Sequence, residues 1–334
     1  MLLTLYTISF VNVLVFLFGC KNNHEMRLDL LSRDNTTVMR GIAILMVVIH
    51  HLSLWFGTNI LTSWGGGGVA IFMILSGYGL TMSFQKSGVK RFWWKRFVGV
   101  FIPWLIITAA TIQPWKCYNQ QWFWKYLFFI DYSPWYLQYL FVWYILFFVA
   151  HFKKWAYRFR WWIIGISAFL MFIFWSPMQQ EQSLCFPFGM WIAENYDRIK
   201  TIDKRTYLKM SAGAAVIAVL TLGAKQIPII RSDISSWTFV TLQLVLKTSM
   251  AIAVIGATPF ITKICRSRFL MFTGLVSYEM YLAHGFIYEQ SIQLVGDVPT
   301  LLFVCVFFPV LYFLCYLFYR VDNGTERMLN TIRK

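Results

Sequence analysis

The stretch Arg40-Gly41-Ile42-Ala43-Ile44-Leu45-Met46-Val47-Val48-Ile49-His50-His51 decides the fold. Nothing between its first residue and its histidines is polar. A helix turns about 100° per residue, so eleven steps bring it back to within roughly 20° of its start. Arg40 and His51 therefore share a face, about 16 Å apart along the axis at about 1.5 Å per residue. An apolar run that begins on a cation and carries an imidazole inward reads as a membrane-spanning helix. Arg40 then sits at one membrane surface and His51 near mid-depth. An ionisable group at that depth is expensive and points to function, the plain alternative being a histidine hydrogen-bonded inside a helix bundle.

The rest of the chain agrees with that solvent. Of its 334 residues, 58% are hydrophobic and 13% charged, which leaves long runs with no charge at all. The runs are continuous rather than alternating, so they predict an all-α polytopic transmembrane bundle and not a barrel. At roughly 20 apolar residues per crossing, about ten to eleven spans are expected. They fall at 2–20, 41–58, 68–85, 97–113, 134–150, 161–176, 184–195, 207–224, 237–258, 269–289 and 299–319. The 184–195 run is short and holds Pro187 and Gly189, so a broken or re-entrant segment is expected there. The aromatic stretch Trp122 to Ile130, interrupted by Lys125, is placed at the outer interface. Residues 1–34 read as an extra N-terminal transmembrane segment with a basic loop, and 35–334 as a single membrane domain.

The net charge of +16 invites a nucleic-acid reading, but its distribution excludes one. The Lys and Arg residues alternate between loops. One set carries clusters such as Lys86, Lys90, Arg91, Lys95 and Arg96, or Arg198, Lys200, Lys204 and Arg205. The opposite set carries only Lys116, Lys125, Lys225 and Arg231. The positive-inside rule then places the N-terminus outside and the C-terminus in the cytoplasm, with Arg40 on the cytoplasmic face. Lys247 falls inside a span, and snorkelling of its long stem is the expected explanation. The six cysteines have no close spacing and predict neither a disulfide framework nor a metal site. Leu17-Phe18-Gly19-Cys20 faintly matches a lipoprotein cleavage site, but no basic residue precedes the apolar run.

Three further constellations bear on chemistry. Trp64-Gly65-Gly66-Gly67-Gly68 is expected to be an open loop able to approach a substrate, without the Lys-Ser/Thr ending of a phosphate-binding loop. Ser76-Gly77, just beyond it, reads as small-residue helix packing rather than as a nucleophile, since no base is nearby in sequence. In Ser277-Tyr278-Glu279-Met280-Tyr281-Leu282-Ala283-His284, residues 277, 281 and 284 share one helical face. That face, with Glu279 in the same segment, is either a polar network tying helices together or a site. Finally, Tyr132-Ser133-Pro134-Trp135-Tyr136-Leu137 is an aromatic belt at the outer surface, and its rings would also suit the apolar faces of sugars.

In this order the pieces resemble the acyltransferase 3 family of polytopic membrane O-acyltransferases, over nearly the whole chain after about residue 35. The family's Arg-x10-His helix matches at Arg40 and His51, and its Phe-Phe-x-Leu-Ser-Gly-Phe/Tyr pattern at Ile71 to Tyr78. Its Trp-Tyr/Phe-Leu segment matches at Trp135 to Leu137, and its late Ser-Tyr-x-x-Tyr-Leu-x-His motif at Ser277 to His284. The resemblance implies transfer of an acyl group, commonly acetyl, from a cytoplasmic acyl-CoA such as acetyl-CoA. The acceptor it implies is a hydroxyl of a surface or envelope carbohydrate or glycolipid. It also implies residence in a bacterial inner membrane, with acyl-CoA as co-substrate and no resident cofactor. Two positions depart from the family. Ala70 replaces a frequent acidic residue, and Lys95-Arg96-Phe97-Val98-Gly99 keeps one basic position of an Arg-x-x-Arg donor element and loses the second.

The mechanism expected from these residues has His51 as general base toward the acceptor hydroxyl. Arg40, Lys90, Arg91, Lys95 and Arg96 are the candidates for the donor's phosphates. Tyr281, His284, Glu279, Trp135 and Tyr136 are the acceptor-site candidates, with Tyr281 and His284 able to orient the acceptor or steady an oxyanion. Two rivals stand beside it: a transporter using His51, Glu279 and His284 as a relay without covalent chemistry, and a structural membrane protein whose polar residues only pack.

Overall fold

The computed structural model describes residues 31–59, 61–111, 135–260, 267–295 and 300–332, and among them there is no strand. In chain order the principal helices are α1 (Arg33–Trp55), α2 (Thr62–Ser87), α3 (Phe92–Arg96), α4 (Ile102–Thr111), α5 (Trp135–Phe152) and α6 (Arg160–Phe174). They continue with α7 (Cys185–Glu194), α8 (Lys204–Ala224), α9 (Trp237–Ala257), α10 (Arg268–Leu275), α11 (Ser277–Val295) and α12 (Thr300–Ile332). A π-helical turn, Phe97–Phe101, joins α3 to α4. Short polar residues set several starts. The Ser32 hydroxyl accepts from Asn35 N at 3.2 Å, the Asp203 carboxylate from Thr206 N at 3.1 Å and the Ser236 hydroxyl from Phe239 N at 3.3 Å.

Among the described residues, 7 helices are long and apolar enough to cross a membrane. The all-α membrane fold expected from the apolar runs is therefore what forms. Three expected spans differ in length. The 161–176 run becomes α6, which begins where Arg160 is clamped by Glu194 and ends three residues before Pro177, a residue that restricts its predecessor to extended backbone. The 184–195 run is the 10-residue α7. The 269–289 run is divided at Val276 into α10 and α11. The expected spans 2–20 and the Trp122–Ile130 belt lie outside the described residues.

The described residues fall into two compact units. The larger takes residues 31–89 and 143–275, and the smaller takes 90–142 and 276–332. In the larger unit α2 is central and packs against α1, α7 and α9, while α1 also packs on α10 and α8 on α9. The α2–α7 contact is made by glycines. A Cβ at Gly77 would overlap the Phe186 carbonyl oxygen, and one at Gly189 would overlap that of Ile74. Gly77 is thus a packing residue, as small residues at membrane helix interfaces generally are. Trp143 stacks on Phe186 at 5.0 Å behind this contact. Lipid-facing side chains such as Val219, Leu220 and Phe169 stay exposed, 63% or more of their surface, which suits hydrocarbon rather than water.

In the smaller unit α11 packs on α12 and α4. Two polar contacts tie its ends: Tyr278 OH donates to Val100 O at 2.8 Å, and Trp94 Nε1 donates to Asn330 Oδ1 at 3.1 Å. Tyr288 packs edge-on against Phe303 and Phe307, with ring centroids 5.8 and 6.4 Å away.

Candidate active site

In the larger unit, α1 carries both Arg40 and His51, as their spacing predicts. Arg40 is exposed and its Nη2 donates to Thr37 Oγ1 at 3.3 Å, one turn back. His51 is half-buried, its ring 5.8 Å from that of Trp55 and 4.9 Å from that of His50. A cation in the open and an imidazole further along the same face is a geometry that can hold an anion at one end and move a proton at the other.

The glycine run corrects an expectation. Gly65 to Gly68 are not a loop but part of α2. The reason is tertiary. A Cβ at Gly65 would overlap the His50 ring, one at Gly66 the Lys247 side chain and one at Gly67 the Met250 sulfur. Helix propensity disfavours glycine by about 1 kcal/mol a residue, and close packing by three neighbours overrides it.

Lys247 corrects a second expectation. It does not snorkel. Its side chain is 9% exposed, and its ammonium pairs with the Glu181 carboxylate, itself 8% exposed. Around this ion pair lies a polar cluster that no motif announced. Gln182 Nε2 donates to Gly66 O at 3.0 Å, and Lys225 Nζ donates to Ser63 Oγ and to Gln243 Oε1, the latter at 3.2 Å. Cys185 Sγ lies 3.6 Å from Thr248 Oγ1. One signal could have found it: a lysine in mid-span demands a partner, and Glu181 is the acid in the short polar run Gln179 to Ser183 between two apolar segments.

In the smaller unit the sequence-predicted aromatics and histidine meet. Tyr136, buried on α5, lies edge-on to Tyr281 with ring centroids 5.1 Å apart, and Tyr281 lies 6.3 Å from the His284 ring. Trp135 is edge-on to Tyr136 at 6.3 Å. His284 Nδ1 is 2.9 Å from both Met280 O and Tyr281 O. Carbonyls only accept, so Nδ1 carries a proton, and in the neutral ring Nε2 is the acceptor atom. Glu279 does not join this group. It is 5% exposed, two residues out of phase with Tyr281, and the nearby charge it feels is that of Asp322 on α12.

The same unit holds the basic turn. Lys90, Arg91 and Lys95 are exposed, and Arg96 is half-buried with its guanidinium carbon 5.5 Å from the centre of the Phe92 ring. Arg91 has φ 55°, the left-handed region that a branched-free glycine prefers, so the turn is held in a strained shape just before α3. A Cβ at Gly99, where the second basic residue is missing, would meet open space. Among the described residues, no three His, Cys, Asp or Glu side chains gather as a metal would require.

Comparison with curated proteins and with solved structures gives no match. The profile of one family does match, described as an acyltransferase domain, over residues 34–320. That range takes in the Arg40–His51 helix, the glycine-packed α2, the basic turn and the Tyr281–His284 motif. The chain belongs to the acyltransferase 3 family, and with its apolar helices it is a membrane acyltransferase.

Proposed function

We propose that this protein is an O-acyltransferase of the bacterial cell envelope. It moves an acetyl or other short acyl group from a cytoplasmic acyl-CoA to a hydroxyl of a surface or envelope carbohydrate, with His51 as general base. The observation that carries the proposal is the pairing of Arg40 and His51 on one face of α1 inside a domain of this family. In the reaction the acceptor oxygen attacks the thioester carbonyl carbon while its proton passes to His51. The tetrahedral intermediate collapses, the carbon–sulfur bond breaks, and the proton returns to the departing thiolate, leaving an ester and free coenzyme A. Arg40 and the turn bearing Lys90, Arg91, Lys95 and Arg96 are assigned to the donor's phosphates, since guanidinium and ammonium groups are the usual partners of phosphate. The Trp135, Tyr136, Tyr281 and His284 group is assigned to the acceptor, aromatic faces suiting the apolar faces of sugar rings.

One observation favours the transporter reading. Glu279 Oε2 and both carboxylate oxygens of Asp322 are buried with no hydrogen-bond partner, as a proton relay would have them. The two readings part in one experiment. Purified protein in nanodiscs receives radiolabelled acetyl-CoA and an envelope glycan extract, while proteoliposomes receive the same label on one side. Alkali-labile label on glycan supports the acyltransferase. Label that crosses the bilayer and never becomes covalent overturns it.

A further inference from the structure

The cluster around Lys247 and Glu181 is not electrically balanced. Glu181 is matched by Lys247, and both are buried. Lys225 is 8% exposed, and its two hydrogen bonds go to the neutral oxygens of Ser63 and Gln243. The charges of Lys247, Glu181 and Arg231 all act on it, so the four groups belong to one electrostatic neighbourhood. Among the described residues that neighbourhood holds two buried ammonium groups, one exposed guanidinium and one carboxylate. Burying a charge without its counter-charge is costly. An ammonium also has three donors, and two of those on Lys225 are spoken for.

Independent signs of an absent partner lie in the adjoining segments. Ser183, two residues from Glu181, is fully buried and its Oγ has no hydrogen-bond partner. His50 Nε2, on the ring that packs against Gly65, is buried and equally unpartnered. A spare cationic donor together with a hydroxyl and a ring nitrogen lacking partners calls for a ligand that is both anionic and rich in hydroxyls. The loop charges read from the sequence put Lys225 on the outer side, where envelope sugars are met.

We propose that Lys225, with the Lys247–Glu181 pair beside it, is a subsite for the acid group of an acidic sugar, a carboxylate or a phosphate. The inference rests on the acyltransferase reading and narrows its acceptor from carbohydrate at large to acidic carbohydrate. Lys225 makes the charged contact; Glu181 keeps Lys247 neutralised, so that one buried positive charge is presented rather than two. Ser183 and His50 take hydroxyls of the same ligand.

The test measures binding directly, on protein in nanodiscs, with three probes: glucuronate, glucose 1-phosphate and glucose. At least one anionic probe should bind about tenfold more tightly than glucose, the scale of one charge-assisted hydrogen bond. The carboxylate and phosphate arms tell the two acids apart. K225Q should erase the preference and K225R should keep it, with thermal unfolding confirming that each variant folds. Equal binding of all three probes, or a preference that survives in a folded K225Q protein, overturns the proposal. Acyl transfer to glycan is followed in parallel. Acid binding without any transfer sinks the acyltransferase reading and leaves the subsite. Transfer that is undiminished when the glycan's acid groups are reduced or removed sinks the subsite and leaves the enzyme.

Discussion

His50 and His51 are neighbours in the chain but about 100° apart on α1, and their surroundings differ accordingly. His50 packs on Gly65 of α2, whereas His51 stands half-buried beside Trp55. Single residues in the basic turn make a separable prediction. R96A should raise the KM for acyl-CoA by about tenfold while kcat holds, because a phosphate contact present in both ground and transition states contributes uniform binding. Steady-state kinetics check it, and a fall in kcat at constant KM would move Arg96 out of donor binding. Lys225 sets a pH limb. Burial, and then the charge of Lys247, lower its pKa from 10.5 to about 8, Glu181 opposing and Arg231 adding to the fall. Below that value it is charged, so binding of an anionic probe should decline as pH rises through about 8. The sign for stability is opposite. Between about 8 and 10.5 the unfolded chain holds a proton that the folded one has released, so this group makes folding more favourable as pH rises across that window. Probe titrations and unfolding curves at pH 7 and 9.5 separate the two effects.

At the scale of elements, the contact between α2 and α7 predicts a sharp contrast among glycines. G189A puts a methyl group onto the Ile74 backbone carbonyl, which cannot move aside as a side chain would. It should cost about 1–3 kcal/mol, read as a lower apparent unfolding temperature and lower membrane abundance. G213A on α8 meets open space and should be neutral or slightly stabilising. The same elements show why some of the fold was legible and some was not. α1, α2, α8 and α9 announce themselves because each is a long apolar run, a local property. The glycine run within α2 reads as a loop because glycine's permissiveness is also local, whereas the His50, Lys247 and Met250 side chains that hold it helical come from other helices. Lys247 reads as a snorkelling residue for the same reason: its partner Glu181 lies 66 residues away in sequence. Of the candidate site, the Tyr136–Tyr281–His284 group was visible as two motifs, each with its own periodicity. The Lys225 cluster is not: Lys247 stands out as a charge in mid-span, but its companions are ordinary polar residues drawn from separate segments.

For the whole molecule, the alternating loop charges predict a C-terminus in the cytoplasm and Lys225 outside. Cysteine labelling of an S232C protein in intact cells, at an exposed position of the loop that begins at Lys225, against a cysteine placed beside Arg198, should label the first and spare the second; the reverse pattern would invert the topology and with it the assignment of donor and acceptor sides. Arg40, His51 and the Lys225 cluster belong to the larger compact unit, the basic turn and the Tyr281–His284 group to the smaller. Everything in the account turns on His51 being the base. The most direct measurement is the initial rate of acyl transfer from acetyl-CoA to envelope glycan by wild-type and H51A protein at matched membrane abundance and matched donor binding. The account predicts a loss of about 10²–10⁴-fold in H51A, the usual contribution of a general base. A rate equal to wild type would contradict it.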